Sequence, residues 1–329
     1  RVGNGIMSPI HIANSSGFVP TNVSTDIRIF DATNDTLSVD WSFNTPHSKP
    51  AQYFIITATR NDTNVTVAEK RLNVIFWLSD VFWITLKGLQ EFKWYIVRVA
   101  AGNLMGLGPY SDMLVLNHTL EGVPSAAPRN LTGTNTSSRS ILLEWKPVLY
   151  EYADGIILGH KVFWRLIDIS QPWKTMYVNG THNTRAEIKN LEKFRDYEFK
   201  ILAFNSVGES VTTPIVNTST DEDIPLHPPV NVKACNTSSR SLLITWDPVP
   251  AEWRFGIIRG YQVIVTDTRD GHEHVYDVKV KENRSLEQAG FERYTNYTVR
   301  ISAYTIKGLG NYSESIRVIT DEDGTYGLC

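Results

Sequence analysis

A tryptophan followed about fifty residues later by a leucine or phenylalanine, with a tyrosine six positions further on, occurs three times along this chain. The tryptophans are Trp41, Trp145 and Trp246; the later pairs are Leu89 with Tyr95, Leu191 with Tyr197, and Phe291 with Tyr297. Successive tyrosines lie 102 and then 100 residues apart. A period near one hundred fits a whole small domain and not one turn of a solenoid.

The second and third repeats nearly spell each other out. Residues 135–145, from Asn135 to Trp145, match residues 236–246 at an offset of 101, and Gly155-Ile156-Ile157 is answered by Gly256-Ile257-Ile258. The first repeat is more diverged, with Asp35 to Trp41 in the same role. Within a repeat the apolar period is two. Tyr297, Val299, Ile301 and Ala303 alternate with Thr298, Arg300 and Ser302, which is the pattern of a strand buried on one face. Tyr95, Val97 and Val99, and Tyr197, Phe199 and Ile201, do the same. Several such strands per hundred residues, broken by Gly, Pro and Asn, predict all-β antiparallel sandwiches without helices.

These residues resemble the fibronectin type III pattern: a core Trp on the second strand, a Leu at the turn into the sixth, a Tyr that begins it, then Ala, often Asn, and a Gly-x-Gly loop. Here the last group is Ala101, Asn103, Gly106 and Gly108; Ala203, Asn205 and Gly208; and Ala303, Gly308 and Gly310. Phe291 replaces the usual Leu, and the middle repeat lacks the second Gly. The resemblance covers nearly all the chain. It implies three consecutive immunoglobulin-like sandwiches in an elongated rod, with Trp41, Tyr95, Trp145, Tyr197, Trp246 and Tyr297 as core residues. It also implies a tyrosine corner, in which each Tyr hydroxyl bonds to nearby backbone while its ring fills the core. The expected units are 18–120, 121–221 and 222–322. Residues 1–17 would hold the last strand of a preceding domain plus linker, and 323–329 the start of a following linker or tail.

Composition excludes several function classes. The formal net charge is −3 over 329 residues, and no basic stripe is present to neutralise phosphates, so no nucleic-acid partner is expected. No apolar run reaches the length of a membrane span. The positions two residues after each tyrosine are Val97, Phe199 and Val299, so the inter-sheet disulfide of immunoglobulin domains is absent. The only cysteines are Cys235 and Cys329; a bridge between them is one possibility, and two free thiols is the one we adopt. No nucleophile elbow or phosphate loop is found, so neither catalysis nor a cofactor is expected. His272 and His274 flank a hairpin signal at Asp270-Gly271 on one strand face, but without an evident third ligand we read an exposed polar hairpin and no metal site.

Compartment is argued from asparagine. Asn-x-Ser/Thr occurs at Asn14, Asn22, Asn34, Asn61, Asn64, Asn117, Asn130, Asn135, Asn179, Asn217, Asn236, Asn283, Asn296 and Asn311. Chance would give roughly four such acceptors at this composition. Asn, Ser and Thr also gather in turns, but that does not account for the density. We expect N-linked glycans on most of them, and hence the secretory route to an extracellular or cell-surface location.

The junctions are Val123-Pro124-Ser125-Ala126-Ala127-Pro128 and Asp221-Glu222-Asp223-Ile224-Pro225, stiff spacers by their proline content, and little contact between units is expected. The acidic triplets at 221–223 and 321–323 read as solvated charge and not as calcium ligands. Surplus aromatics give the one hint of a partner surface: Phe76 and Trp77 in a stretch too apolar for a wet strand face, and Trp164 with Trp173 as outward pairs. They serve either to cover neighbouring structure or to meet a protein partner. Gly3 to Ile12 align with the final loop and strand of the later units. We read them as the end of a fourth domain; the alternative is a strand donated to another chain. Together these features imply a non-catalytic binding and spacing region of a glycosylated adhesion or receptor ectodomain, like those of cell-adhesion molecules, sidekick-like proteins or receptor-type tyrosine phosphatases. A secreted structural protein that self-associates by strand addition is the alternative.

Overall fold

Period-two patterning places two sheets in each unit of the computed structural model, which describes residues 17–44, 51–74, 80–112, 115–167, 171–279 and 284–322. The donated-strand question at residues 6–12 lies outside them. The first unit runs β1 (Thr25–Ala32), β2 (Thr36–Ser42), β3 (Tyr53–Arg60), β4 (Thr66–Asn73), β5 (Val81–Lys87), β6 (Trp94–Asn103), β7 (Gly106–Tyr110) and β8 (Val115–His118). The second runs β9 (Arg129–Ser137), β10 (Ser140–Lys146), β11 (Gly159–Leu166), β12 (Lys174–Asn179), β13 (Arg185–Ile188), β14 (Asp196–Phe204) and β15 (Val216–Ser219). The third runs β16 (Val230–Ser238), β17 (Ser241–Asp247), β18 (Gly260–Asp267), β19 (Glu273–Lys279), β20 (Ser285–Ala289), β21 (Asn296–Thr305), β22 (Gly308–Leu309) and β23 (Ile316–Ile319).

Each unit pairs a three-stranded sheet, ordered β1-β2-β5, β9-β10-β13 or β16-β17-β20, with a larger one built around β3-β6, β11-β14 or β18-β21. All pairs are antiparallel. Two single-turn 3-10 segments, Tyr150–Tyr152 and Ala251–Trp253, are the only helical elements among the described residues. Three separate hydrophobic clusters fill the sandwiches, one per unit, and a smaller one of Val148, Ala153, Ile157 and Ala203 lies at the end of the second unit with Ala126 of the linker against it. The accessible surface of 19719 Å² exceeds the about 14,000 Å² of one compact globule of this mass and is close to the about 18,000 Å² of three separate ones.

The two sheets of each unit are joined by the same aromatic contact. Trp41 meets Phe54, Trp145 meets His160 and Trp246 meets Tyr261 edge to face, at centroid distances of 5.3, 5.2 and 5.3 Å. This is the favoured geometry for ring quadrupoles. The tyrosine corner repeats as closely: the backbone N–H groups of Gln90, Glu192 and Glu292 donate to the hydroxyls of Tyr95, Tyr197 and Tyr297 at 2.7, 2.8 and 2.9 Å. Burial pushes all three phenols up from their ordinary pKa. The turn that delivers each tyrosine puts a bulky residue into the left-handed region, Phe92, Phe194 and Tyr294 at φ 49°, 50° and 43°. Nothing in the residue pattern signals this strain, which costs of order 1 kcal/mol per site. Gly108 and Gly310 answer a close approach, since a Cβ there would stand 2.2 Å from the Pro20 carbonyl oxygen and 2.4 Å from that of Pro225.

Cys235, on β16, is disulfide-bonded, which corrects the expectation of two free thiols. Cys329 lies outside the described residues. β16 packs against the last strand, β23, a neighbourhood that the sequence alone does not show.

Tyr197→Phe removes one hydrogen bond while keeping the ring, so it should destabilise the middle unit alone by about 1 kcal/mol in chemical denaturation. His160 gives a second test. Fully buried against Trp145, it has its pKa lowered by burial, with a contact from the Asn183 backbone acting the other way. The unfolded chain takes up this proton near pH 6.5 and the folded unit only at lower pH, so stability is lost as pH falls from that value toward the depressed one. The expected slope approaches 1.4 kcal/mol per pH unit, about one proton's worth, and His160→Phe, the residue type at Phe54, should flatten it.

Candidate functional site

The polar groups that converge in this chain do so at the junctions. Each unit ends in Thr-x-Glu: Thr119-Leu120-Glu121, Thr220-Asp221-Glu222 and Thr320-Asp321-Glu322. The threonines are buried. Their hydroxyls donate to the carbonyls of Gln90, Glu192 and Glu292 at 2.7, 2.8 and 2.7 Å and accept from the N–H groups of Lys93, Arg195 and Thr295. Each thus staples the outgoing chain to the turn that carries the tyrosine corner. Two residues on, the glutamate reaches the next unit. Glu121 accepts from the backbone of Ile156 at 2.9 Å and from Ser206, and Glu222 accepts from the backbone of Ile257 at 3.1 Å. Sequence reasoning missed this motif, although the spacing of 101 and 100 residues was there to find it.

The receiving unit holds the same segment from the other side. Asn103, Asn205 and Thr305 lie eight residues beyond their corner tyrosines and donate to the carbonyls of Phe18, Gly122 and Asp223 at 2.8, 2.6 and 2.9 Å. The same side chains accept from the backbone of Met105, of Val207 and Gly208, and of Lys307, which closes their own loops.

The acidic triplet at 221–223, read as solvated charge, is a latch. Asp223 accepts from Lys193 at 2.7 Å and from Ser138 at 2.8 Å, while its N–H donates to Phe255 at 2.7 Å. Asp221 accepts from Asn135 and pairs with Lys307 at 3.1 Å. Lys193 also stands over the Phe255 ring at 5.0 Å. Partial burial opposes the charge on Asp223, but the bonds from Lys193 and Ser138 outweigh it and hold the carboxyl below its usual range. At the first junction, Lys93, 3% exposed, donates to the Tyr150 carbonyl at 3.4 Å and stands over its ring at 4.7 Å. The units are therefore bonded to one another, which corrects the expectation of little contact, although their hydrophobic cores stay separate.

Of the candidate partner aromatics, Phe76 and Trp77 lie outside the described residues. Trp164 is not outward, since it packs on the core of the second unit. Trp173 does face out, under Arg165 at 4.5 Å and Lys200 at 4.6 Å. The two do not share a surface because Trp164 and Arg165 occupy opposite faces of β11. An exposed apolar face lies on β1-β2-β5, where Phe30, Val81 and Trp83, the last 65% exposed, surround Asp40. Val81 and Trp83 belong to the stretch 74–84 that reads as too apolar for a wet strand face, whereas Phe30 carried no signal. Alternation along Val81-Phe82-Trp83-Ile84 carried the signal, since Phe82 and Ile84 pack on the core. Arg28 and Asp40 form a bidentate pair beside the patch.

Twelve of the fourteen sequons fall on described residues; all are exposed except Asn117 and Asn236, which are half-buried. None lies on β1, β2 or β5, whereas Asn130 and Asn135 sit on β9 and Asn236 on β16. His272 and His274 pack edge to face at 4.8 Å, and no metal-ligand cluster is found among the described residues.

Tandem sandwiches with repeated tyrosine corners and pinned junctions define an array of immunoglobulin-like modules. The chain belongs to the fibronectin type III domain family, whose model matches residues 126–219 and 227–319. It is 33% identical over 240 residues to human protein sidekick-1, covering 72% of this chain and 11% of that protein. To rat cell adhesion molecule DSCAM it is 28% identical over 302 residues, covering 91% of this chain and 15% of that protein. It thus spans a small part of these relatives. The crystal structure of the FN1–FN3 domains of chicken CNTN1 superposes with a TM-score of 0.50 at 22% identity, covering 91% of this chain and 98% of that one.

Thr220→Val should leave the Arg195 N–H and Glu192 carbonyl without their partner at a cost of about 2 kcal/mol. Amide exchange over residues 195 and 219–223 should then accelerate about 30-fold. The Asp223 contribution to the second latch should be present at neutral pH and above the ordinary carboxylate value, and lost as pH falls through the depressed one. Exchange at Ile224 followed down to pH 3 checks it.

Proposed function

We propose that this chain is a non-catalytic binding and spacing region of a cell-surface adhesion ectodomain, delivered by the secretory pathway and carrying N-linked glycans on its exposed sequons. The observation that carries the reading is the pinning of each linker to both of its neighbours. A linker held in this way transmits orientation from one sandwich to the next, which is what a spacer must do. The relatives named as adhesion proteins and the density of exposed sequons support the location. The units are read as 18–120, 121–221 and 222–322, and the Thr-x-Glu segments that close each of them support that division. Contact with a protein partner is assigned to the face formed by Phe30, Val81 and Trp83, because it is apolar and free of described sequons.

Small-angle scattering of the natively produced protein should give a radius of gyration well above the about 20 Å of a compact globule of this length. A value near 20 Å sinks the spacer. Trp83→Ala, on the exposed face, should weaken partner capture at least tenfold without altering thermal stability by more than about 0.5 kcal/mol. Native mass spectrometry before and after deglycosylation should show stepwise loss of several glycans; an unchanged mass would remove the secretory assignment.

A further inference from the structure

We propose that the sugar on Asn34 is seated in the cleft between the first and second units and acts as a covalent wedge that fixes their angle, an inference that rests on the reading that the sequons are glycosylated.

The argument starts from a difference between the two junctions. Counting back from the core tryptophans, Asn34 occupies the place in the first unit that Ser138 occupies in the second. Ser138 bonds directly to the linker through Asp223. In the first linker the residue 101 positions before Asp223 is Gly122, and the Glu91 carboxylate stands where its side chain would begin and accepts from Asn34 instead. A cleft of about 520 Å³ remains there, walled by Asn34 and Glu91 on one side and by Val123, Tyr152 and Val207 on the other. That volume falls in the range of about 300–1,000 Å³ in which proteins seat small ligands.

The chemistry of the walls fits a hexosamine. Val123, Tyr152 and Val207 are 43%, 46% and 53% exposed, an apolar surface suited to the C–H face of a pyranose. Glu91 and Glu151, also on the cleft, accept hydrogen bonds from sugar hydroxyls. Asn34 Nδ2 donates to Glu91 Oε1 at 2.6 Å, which holds the attachment atom at the cleft wall. On glycosylation one Nδ2 hydrogen leaves as a proton and the nitrogen bonds the anomeric carbon. The anomeric carbon breaks its bond to the donor's phosphate, which leaves with the glycosidic oxygen and the bonding pair, and the second N–H keeps its bond to Glu91. The first sugar then lies in the cleft beside the Asn34–Glu91 contact, against the walls that the second unit contributes.

The test is site-resolved release of glycans by peptide-N-glycosidase from the folded, natively produced chain, with the exposed Asn64 and Asn217 as internal comparators. The Asn34 sugar should be released at least about tenfold more slowly than either, as expected for a group freed only by local opening, and denaturation should equalise the three. In parallel, Asn34→Gln should speed amide exchange across residues 120–125, and Asn64→Gln should not. Release of the Asn34 sugar at the comparators' rate overturns the wedge, as does Asn34→Gln without effect on the linker. Sugar on Asn64 and Asn217 but none on Asn34 overturns the wedge and leaves the glycosylation reading standing. No sugar on any sequon overturns both.

Discussion

The geometry of this chain depends on a buried threonine hydroxyl at the end of each sandwich. Thr119, Thr220 and Thr320 each satisfy one carbonyl and one N–H of the turn that carries the corner tyrosine, so the point at which the chain leaves a unit is as fixed as the core itself. Because backbone groups buried without partners are costly, the exit cannot slide without exposing or orphaning them. Glu121 and Glu222, two positions on from the first two threonines, inherit this placement and each accepts from an N–H of the next unit. The amide or hydroxyl of Asn103, Asn205 or Thr305 closes the grip from the far side. Proline content alone would have given stiffness along the linker; these bonds add a defined direction.

Much of the sandwich was legible because it rests on residues with one job. Trp145 and Tyr197 were readable as core because they recur at matching spacing in all three repeats, and not because of their size, since Trp83 is as large and is 65% exposed. Alternation along β21 placed Tyr297 inside and Thr298 outward, as found. The junctions were harder to read because their residues have two possible jobs. Asp223 in solvent and Asp223 under Lys193 are the same letter, and only the fold brings Ser138, Lys193 and Phe255 around it. Trp164 failed for a related reason. A surplus aromatic near charged neighbours looks outward until the register of β11 against β14 shows which face it takes. The left-handed Phe92, Phe194 and Tyr294 left no trace at all, since nothing local favours that backbone for an aromatic residue.

The smaller sheets differ in what their strands carry. β9 and β16 bear acceptor asparagines, of which Asn135 and Asn236 pair with the core residues Ile141 and Leu242 and so stand on the inner side of their strands. β1, β2 and β5 bear none, and the first unit exposes Phe30, Val81 and Trp83 there instead.

Three hydrophobic cores that never merge make the chain a set of elements in series. A pull on its two ends loads every unit equally, and the weakest core yields while its neighbours stay folded. One such event releases about one hundred residues, a gain of the order of 300 Å at about 3.4 Å per extended residue. Force on the ends then falls before a second unit is stretched to its limit. An array of separate sandwiches therefore yields stepwise under tension, where a single fused core of the same length would break once.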